Sequence, residues 1–139
     1  MTEWSHGCAG RVKRDISCAF VAFSGYNESA LTLSAAITDA VRAYQSALSR
    51  EFPSRLVRTV VFGSVARGEA TEDSDIDILV LFDRLNSRER ARAIDLGTEV
   101  AFDRRMLFSP LPLSVDEWHD LEMRERLLTA EIAREGIQI

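Results

Sequence analysis

Two short apolar runs joined by a polar link constrain this chain more than anything else in it. Leu56 to Phe62 (LVRTVVF) and Ile76 to Phe82 (IDILVLF) are rich in Val, Ile and Leu, and the first stops at Gly63. Runs of this length bounded by Gly and polar residues have the pattern of buried strands. The link between them is too short for an ordinary parallel crossover, so the second strand is expected to return antiparallel beside the first, with one helical turn from Val65 to Gly68. That return decides which residues meet. Gly63 and Ser64, at the end of the first strand, fall next to Asp75 and Asp77 at the start of the second. Residues two apart on a strand lie about 6.6 Å apart on one face, so the two aspartates face one way while Ile76 and Ile78 face the other.

Each part of this arrangement carries a chemical implication. Backbone N–H groups at a Gly-Ser turn that opens a helix form an anion cradle, and the Ser hydroxyl adds a donor. Paired carboxylates suit Mg²⁺, which takes oxygen ligands and is often completed by substrate phosphates. A phosphate cradle beside such a pair points to phosphoryl or nucleotidyl transfer, in which positioning and charge neutralisation supply most of the catalysis. The plain alternative is a hairpin whose aspartates only solvate its end.

Charge and length narrow the classes. The formal net charge is −5, and Glu72, Asp73, Asp75, Asp77 and Asp83 place five negative charges between positions 71 and 83 with no base among them. The rest of the chain is therefore balanced, and a cation at the cluster would relieve its self-repulsion. Such a balance argues against an extended nucleic-acid footprint. The 139 residues give room for one core, and no apolar run approaches the ~20 residues needed to cross a membrane. Cys8 and Cys18 are too few for a disulfide scaffold and lack partners for a zinc site, so they read as free thiols in a reducing cytosol.

Gly63-Ser64, the ten residues Val65 to Ser74, and then Asp75-Ile76-Asp77 follow a spacing that resembles the signature of the minimal nucleotidyltransferases, within the DNA polymerase β type of nucleotidyltransferase. Ala66-Arg67-Gly68, Ser74 and the tail from Arg124 to Ile139 are also similar, so the resemblance covers about residues 33 to 139. It implies an α/β nucleotidyltransferase fold like the polymerase β palm, a small mixed sheet covered by helices. It further implies that Gly63, Ser64 and Arg67 hold the nucleotide triphosphate and that Asp75 and Asp77 are catalytic and bind metal, with two Mg²⁺ ions and ATP as substrate. Free-standing members act as cytoplasmic antitoxins to HEPN-domain ribonuclease toxins, so the expected function is transfer of AMP from ATP to a protein hydroxyl, a tyrosine of the toxin. Two alternatives remain open at this point. One is a noncatalytic antitoxin that neutralises its partner by binding it. The other is an antibiotic nucleotidyltransferase of the aminoglycoside type, which normally needs an acceptor-binding domain for which this chain has no room. One departure favours the noncatalytic reading: the superfamily's third strand commonly carries a third carboxylate, yet no Asp or Glu occurs between Met106 and Val115. Asp103 is the nearest candidate, at a helix end.

The remaining segments read as support. Residues 1 to 30 form an extension of unknown role, and residues 31 to 139 the nucleotidyltransferase domain. Arg11, Lys13 and Arg14 before the apolar Ile16 to Phe23 superficially resemble a secretory signal, but the apolar stretch is minimal and no small-residue cleavage site follows. Export is not expected, and an added edge strand around residues 17 to 23 or a weakly ordered extension is. His6 and the cysteines imitate a metal cluster without its spacing. Leu33, Ile37, Val41, Tyr44 and Leu48 form a helical stripe from about Leu31 to Glu51, closed by Pro53, with Tyr44 in the core. Asn86 or Ser87 caps a helix to about Phe102, whose Arg88, Arg90 and Arg92 form a solvated end or meet phosphate or a partner. Gly97 within it implies close packing against the sheet. Arg104 to Leu113 is expected as a third strand, confined to an edge or a short first half by Pro110 and Pro112. Ser114 and Glu117 form a capping box for one last helical region that stops at Gly136, with His119 on its surface.

Overall fold

A computed structural model describes residues 33–139. The expectations for residues 1 to 30, including the strand at 17 to 23, His6 and the two cysteines, lie outside the described residues. The elements run α1 (Ala35–Glu51), β1 (Leu56–Phe62), α2 (Gly63–Arg67), β2 (Ile76–Phe82), α3 (Ser87–Asp103), β3 (Phe108–Ser114), α4 (Val115–Arg124), α5 (Arg126–Glu135) and β4 (Ile137–Gln138). The four strands form one mixed sheet in the order β3-β2-β1-β4. As the short link requires, β1 and β2 are antiparallel, with Val61 opposite Ile78 and Phe62 opposite Asp77.

The period of two along β2 sorts the sheet into two faces. Ile76, Ile78, Val80 and Phe82 point into a core completed by Val41, Tyr44 and Leu48 of α1 and Ala93 and Leu96 of α3. Leu79 and Leu81 point the other way, onto Val115 and Trp118 of α4 and Ile132 of α5. Asp77 lies in register with that second set, so α4 and α5 cover the lower part of its face. Tyr44 is fully buried and its hydroxyl donates to the Ala93 carbonyl at 2.7 Å, which fixes it as a core residue. A Cβ on Gly97 would stand 3.1 Å from the Tyr44 ring and 3.3 Å from Pro110, so the glycine allows α3 to lie close against α1 and the sheet.

Several boundaries differ from the sequence reading. The first helix starts at Ala35, because the Ser34 side chain accepts from the Ile37 N–H and caps it there. The third strand starts at Phe108, four residues late, since Arg104 to Leu107 are spent on a turn in which Arg105 has φ +54°. It then runs through both prolines, parallel to β2. Alternate residues of a strand direct their N–H groups to opposite sides, so Pro110 and Pro112, two apart on an edge strand, both turn their missing donors outward. Arg90 donates to the Pro112 carbonyl and to Glu117 (2.5 Å), and Arg92 pairs with Glu51 and Glu99, so these arginines bind the fold's own acceptors. The last helical region is two helices, broken at Glu125, and the residues after Gly136 add the short β4 beside β1. Among the described residues no helix is long and apolar enough to cross a membrane.

Candidate active site

The β1–α2 turn and the start of β2 meet as their spacing requires. Gly63 has φ +73°, a left-handed conformation in which a side chain is strained. A Cβ on it would also fall 2.3 Å from Asp77 Oδ2. The glycine thus does two things: it turns the chain directly from β1 into α2, and it lets the Asp77 carboxylate approach the backbone. The helical turn begins at Gly63 itself, two residues earlier than the sequence suggested, and closes at Gly68, also left-handed at φ +73°. Ser64 follows at the start of that turn and is half-buried, while Asp75 is exposed immediately before β2. Gly63, Ser64, Asp75 and Asp77 are therefore gathered at one end of the sheet.

The electrostatics of Asp77 describe what surrounds it. Partial burial is the main cause that pushes its carboxyl above the ordinary range, and the Asp75 charge adds to this. The Ser109 hydroxyl and the Arg67 charge act in the opposite sense, and Glu131 on α5 raises it further. Ser109 stands on β3 directly opposite Asp77 in the parallel register. The third strand therefore offers this site a hydroxyl at a strand where the superfamily commonly carries a carboxylate. Asp103 is exposed at the last position of α3 and belongs to no strand. His119 lies on the surface of α4, with Nδ1 3.3 Å from Glu122.

Arg67, the last residue of α2, reaches this end of the sheet but its contacts are acids. Its Nε donates to Glu69 at 3.0 Å, and its Nη1 donates to Glu131 at 2.6 Å and Glu135 at 3.3 Å. Ser109, Glu131 and Glu135 were not found by sequence reasoning. The i, i+4 spacing of the two glutamates puts them on one helix face and is visible in the sequence, but their partner, more than sixty residues earlier, is not. Among the described residues no group of three or more His, Cys, Asp or Glu is arranged to hold a metal ion. The donor set that remains, two aspartates with the Asp77 charge poorly compensated, fits a hard divalent cation whose other ligands are phosphate oxygens and water.

Comparison with known proteins gives this site its class. Residues 41–129 match the nucleotidyltransferase domain family, and the chain belongs to it. The matched segment includes the Gly63-Ser64 turn, both aspartates and Ser109, so the mixed sheet with its helices is a nucleotidyltransferase fold and the protein is a nucleotidyltransferase. Among individual relatives are two Methanocaldococcus jannaschii proteins named as protein adenylyltransferases. One is 28% identical over 76 residues, 54% of this chain and 77% of the relative. The other is 43% identical over 44 residues, 32% of this chain and 44% of the relative. Solved structures with partial overlap include a toxin–antitoxin complex with AMP-PNP (TM-score 0.48, 24% identity, 68% of each chain). A Sulfolobus solfataricus protein described as a nucleotidyltransferase overlaps at TM-score 0.42, with 19% identity over 81% of this chain and 90% of its own.

Proposed function

We propose that this chain transfers AMP from ATP to a hydroxyl of a partner protein, with Mg²⁺ held at Asp75 and Asp77, and that it acts in the cytoplasm as the antitoxin of a HEPN-domain ribonuclease toxin. The observation that carries the reading is the closeness of Gly63 to Asp77, which joins the phosphate-binding turn and the carboxylate pair in one site. Membership of the nucleotidyltransferase family supplies the reaction class. The relatives named as protein adenylyltransferases favour a protein acceptor. The toxin partner rests on the resemblance to minimal nucleotidyltransferases. The proposed catalytic unit is residues 31 to 139, with residues 1 to 30 appended to it.

In this mechanism the backbone at Gly63 and the Ser64 hydroxyl bind the triphosphate, and Arg67 adds a positive charge beside it. Bound Mg²⁺ would neutralise phosphate charge and polarise the reacting phosphoryl group. Asp75 and Asp77 orient the nucleotide so that the acceptor oxygen lies in line with the α-phosphorus. The acceptor oxygen forms its bond to that phosphorus as the bond to the β-phosphate oxygen breaks; pyrophosphate departs and the hydroxyl proton passes to solvent. Ser109 holds Asp77 in place and supplies no base. A tyrosine acceptor suits a site without a third carboxylate, because a phenol ionises near pH 10 and needs less help than an alcohol.

Ser109 in place of a carboxylate is also the one feature that favours a second reading, an antitoxin that binds without catalysing. Intact mass spectrometry separates the two. With ATP, Mg²⁺ and the HEPN-domain partner, transfer adds about 329 Da per AMP to the partner, and the Asp75→Asn variant adds none. A partner that is bound and inhibited yet unmodified would establish the noncatalytic reading instead.

A further inference from the structure

Arg67, the last residue of α2, stands beside the candidate site. Its side chain keeps about a third of its surface exposed, and three carboxylates contact it. They take only two of its three nitrogens. Nε is bonded to Glu69 and Nη1 to both Glu131 and Glu135, while Nη2 donates to nothing among the described residues. The two glutamates stand one turn apart on α5, which packs through Ile132 against the face of the sheet that carries Asp77. Glu135 is itself bonded by Arg134 at 2.9 Å, so it is fixed from both sides.

We propose that Glu131 and Glu135 are positioning residues for Arg67, holding its guanidinium so that the unbonded Nη2 donates to a phosphate of the nucleotide beside Asp77. The proposal rests on the nucleotide reading above and deepens it. A guanidinium is a rigid planar fork, so fixing two of its nitrogens fixes the direction of the third. An arginine that is already ordered loses less conformational freedom when its ligand arrives, which favours binding. The arrangement also explains a charge pattern that otherwise works against function. Two extra acids near a polyanion repel it, and their presence is useful only if the orientation they impose on Arg67 outweighs that repulsion. The field at Asp77 places the acids and the arginine in one neighbourhood, since the Arg67 and Glu131 charges both reach it.

The two possible roles of these acids have opposite signs, so binding decides between them. The probe is Mg·ATP, titrated into the whole chain and into Glu131→Gln, Glu135→Gln, their double variant, Arg67→Gln and the triple variant. Positioning is expected to weaken binding about tenfold in the double variant, the size of a compromised charged hydrogen bond. In the Arg67→Gln background the same glutamate changes should alter the dissociation constant less than twofold, because no guanidinium remains to be aimed. Tighter binding in the double variant would show that the acids compete with phosphate for Arg67, and overturns the proposal. Losses that add in the triple variant indicate a general structural role and also overturn it. If the double variant does not fold, the Glu131→Gln single variant is compared in the same cycle, with a smaller loss expected. A wild-type chain that binds no Mg·ATP refutes the nucleotide reading itself, and this proposal with it.

Discussion

Arg55 and Arg67 lie at opposite ends of the β1–β2 hairpin, each among acids, and they are used differently. Arg55, just before β1, spends all three nitrogens. Nε meets Asp83 at 3.4 Å, Nη1 meets Glu89 at 2.5 Å, and Nη2 donates to Glu89 at 3.0 Å and to the Arg84 carbonyl at 2.5 Å. Its guanidinium also lies 5.9 Å from the centroid of the Phe52 ring. Glu89 in turn closes the capping box of α3 with Asn86. That end is a closed knot of charge that ties the hairpin to the start of α3. At the other end Arg67 faces three carboxylates with a nitrogen to spare, and the Asp75–Asp77 pair lies beyond it. The electrostatics carry the same contrast: hydrogen bonds from Arg55 hold Glu89 down at about 2, whereas Asp77 is pushed upward by burial and by Asp75. One end satisfies its charges internally and stabilises the fold. The other is left short of positive charge, which suits the proposed binding of a cation together with a polyanion.

The strongest way to break the open end is Gly63→Val. The substitution combines a strained left-handed φ with a Cβ driven into Asp77, so a loss of at least about 2–3 kcal/mol of stability is expected. Nucleotide binding should disappear in whatever fraction folds. Thermal unfolding with and without Mg·ATP checks both, and a folded variant with wild-type ATP affinity would remove the cradle from the account. The closed end is tested by Arg55→Gln, expected to lower the melting temperature by several degrees for a domain of this size because Asp83 and Glu89 lose the partner they share. Nucleotide affinity should not change, and a parallel fall in affinity would mean that the two ends are coupled.

The pH dependence of the two ends should run in opposite directions. Glu89 is depressed in the folded state, so its contribution is present above the ordinary carboxylate range and is lost as pH falls toward about 2. Asp77 is raised, so its contribution is present at low pH and lost as pH rises through its folded value. Without ligand at neutral pH, Asp77→Asn should therefore be more stable than wild type and Glu89→Gln less stable, and each difference should shrink toward acid. Melting temperatures measured from pH 3 to 8 give the comparison, and two profiles of the same sign would contradict the contrast between the ends. The smallest expected effect is that of Ser109→Ala. Loss of its hydroxyl lets the Asp77 carboxyl rise further, so Mg·ATP affinity should fall a few-fold and its dependence on pH should move upward. An unchanged profile would show that Ser109 does not act on Asp77.

The hairpin is legible in the sequence because its determinants are local, whereas the closed end, where Arg55 meets Asp83 and Glu89 28 and 34 residues away, is not. The two strands have the boundaries that their apolar runs indicate, and Gly63, Ser64, Asp75 and Asp77 meet because a short link permits only an antiparallel return. The capping box at Ser114–Glu117 is a three-residue signal and is formed, and of the two caps expected for α3 it is Asn86 that serves, with Glu89 completing a second box. What was missed depends on distant pairing. The expectation that Arg104 opens the third strand failed because the turn through Arg105 consumes those residues, and the parallel register that sets Ser109 opposite Asp77 has no local signature. β4 was missed because two residues carry no periodicity. Arg67 was expected at the phosphates, but nothing near it in sequence pointed to Glu131 and Glu135, which only the packing of α5 brings to it.

The central claim is that Asp75 and Asp77, beside Gly63 and Ser64, hold a nucleotide with its metal. Calorimetric titration of Mg·ATP into the wild-type chain and into the Asp75→Asn, Asp77→Asn double variant tests it most directly. One binding event is expected in the wild type, worth about 2.7 kcal/mol of added stability when ligand reaches 100 times its dissociation constant. The double variant, folded and at neutral pH, should give neither heat of binding nor thermal shift. Equal affinity in the two proteins would contradict the account.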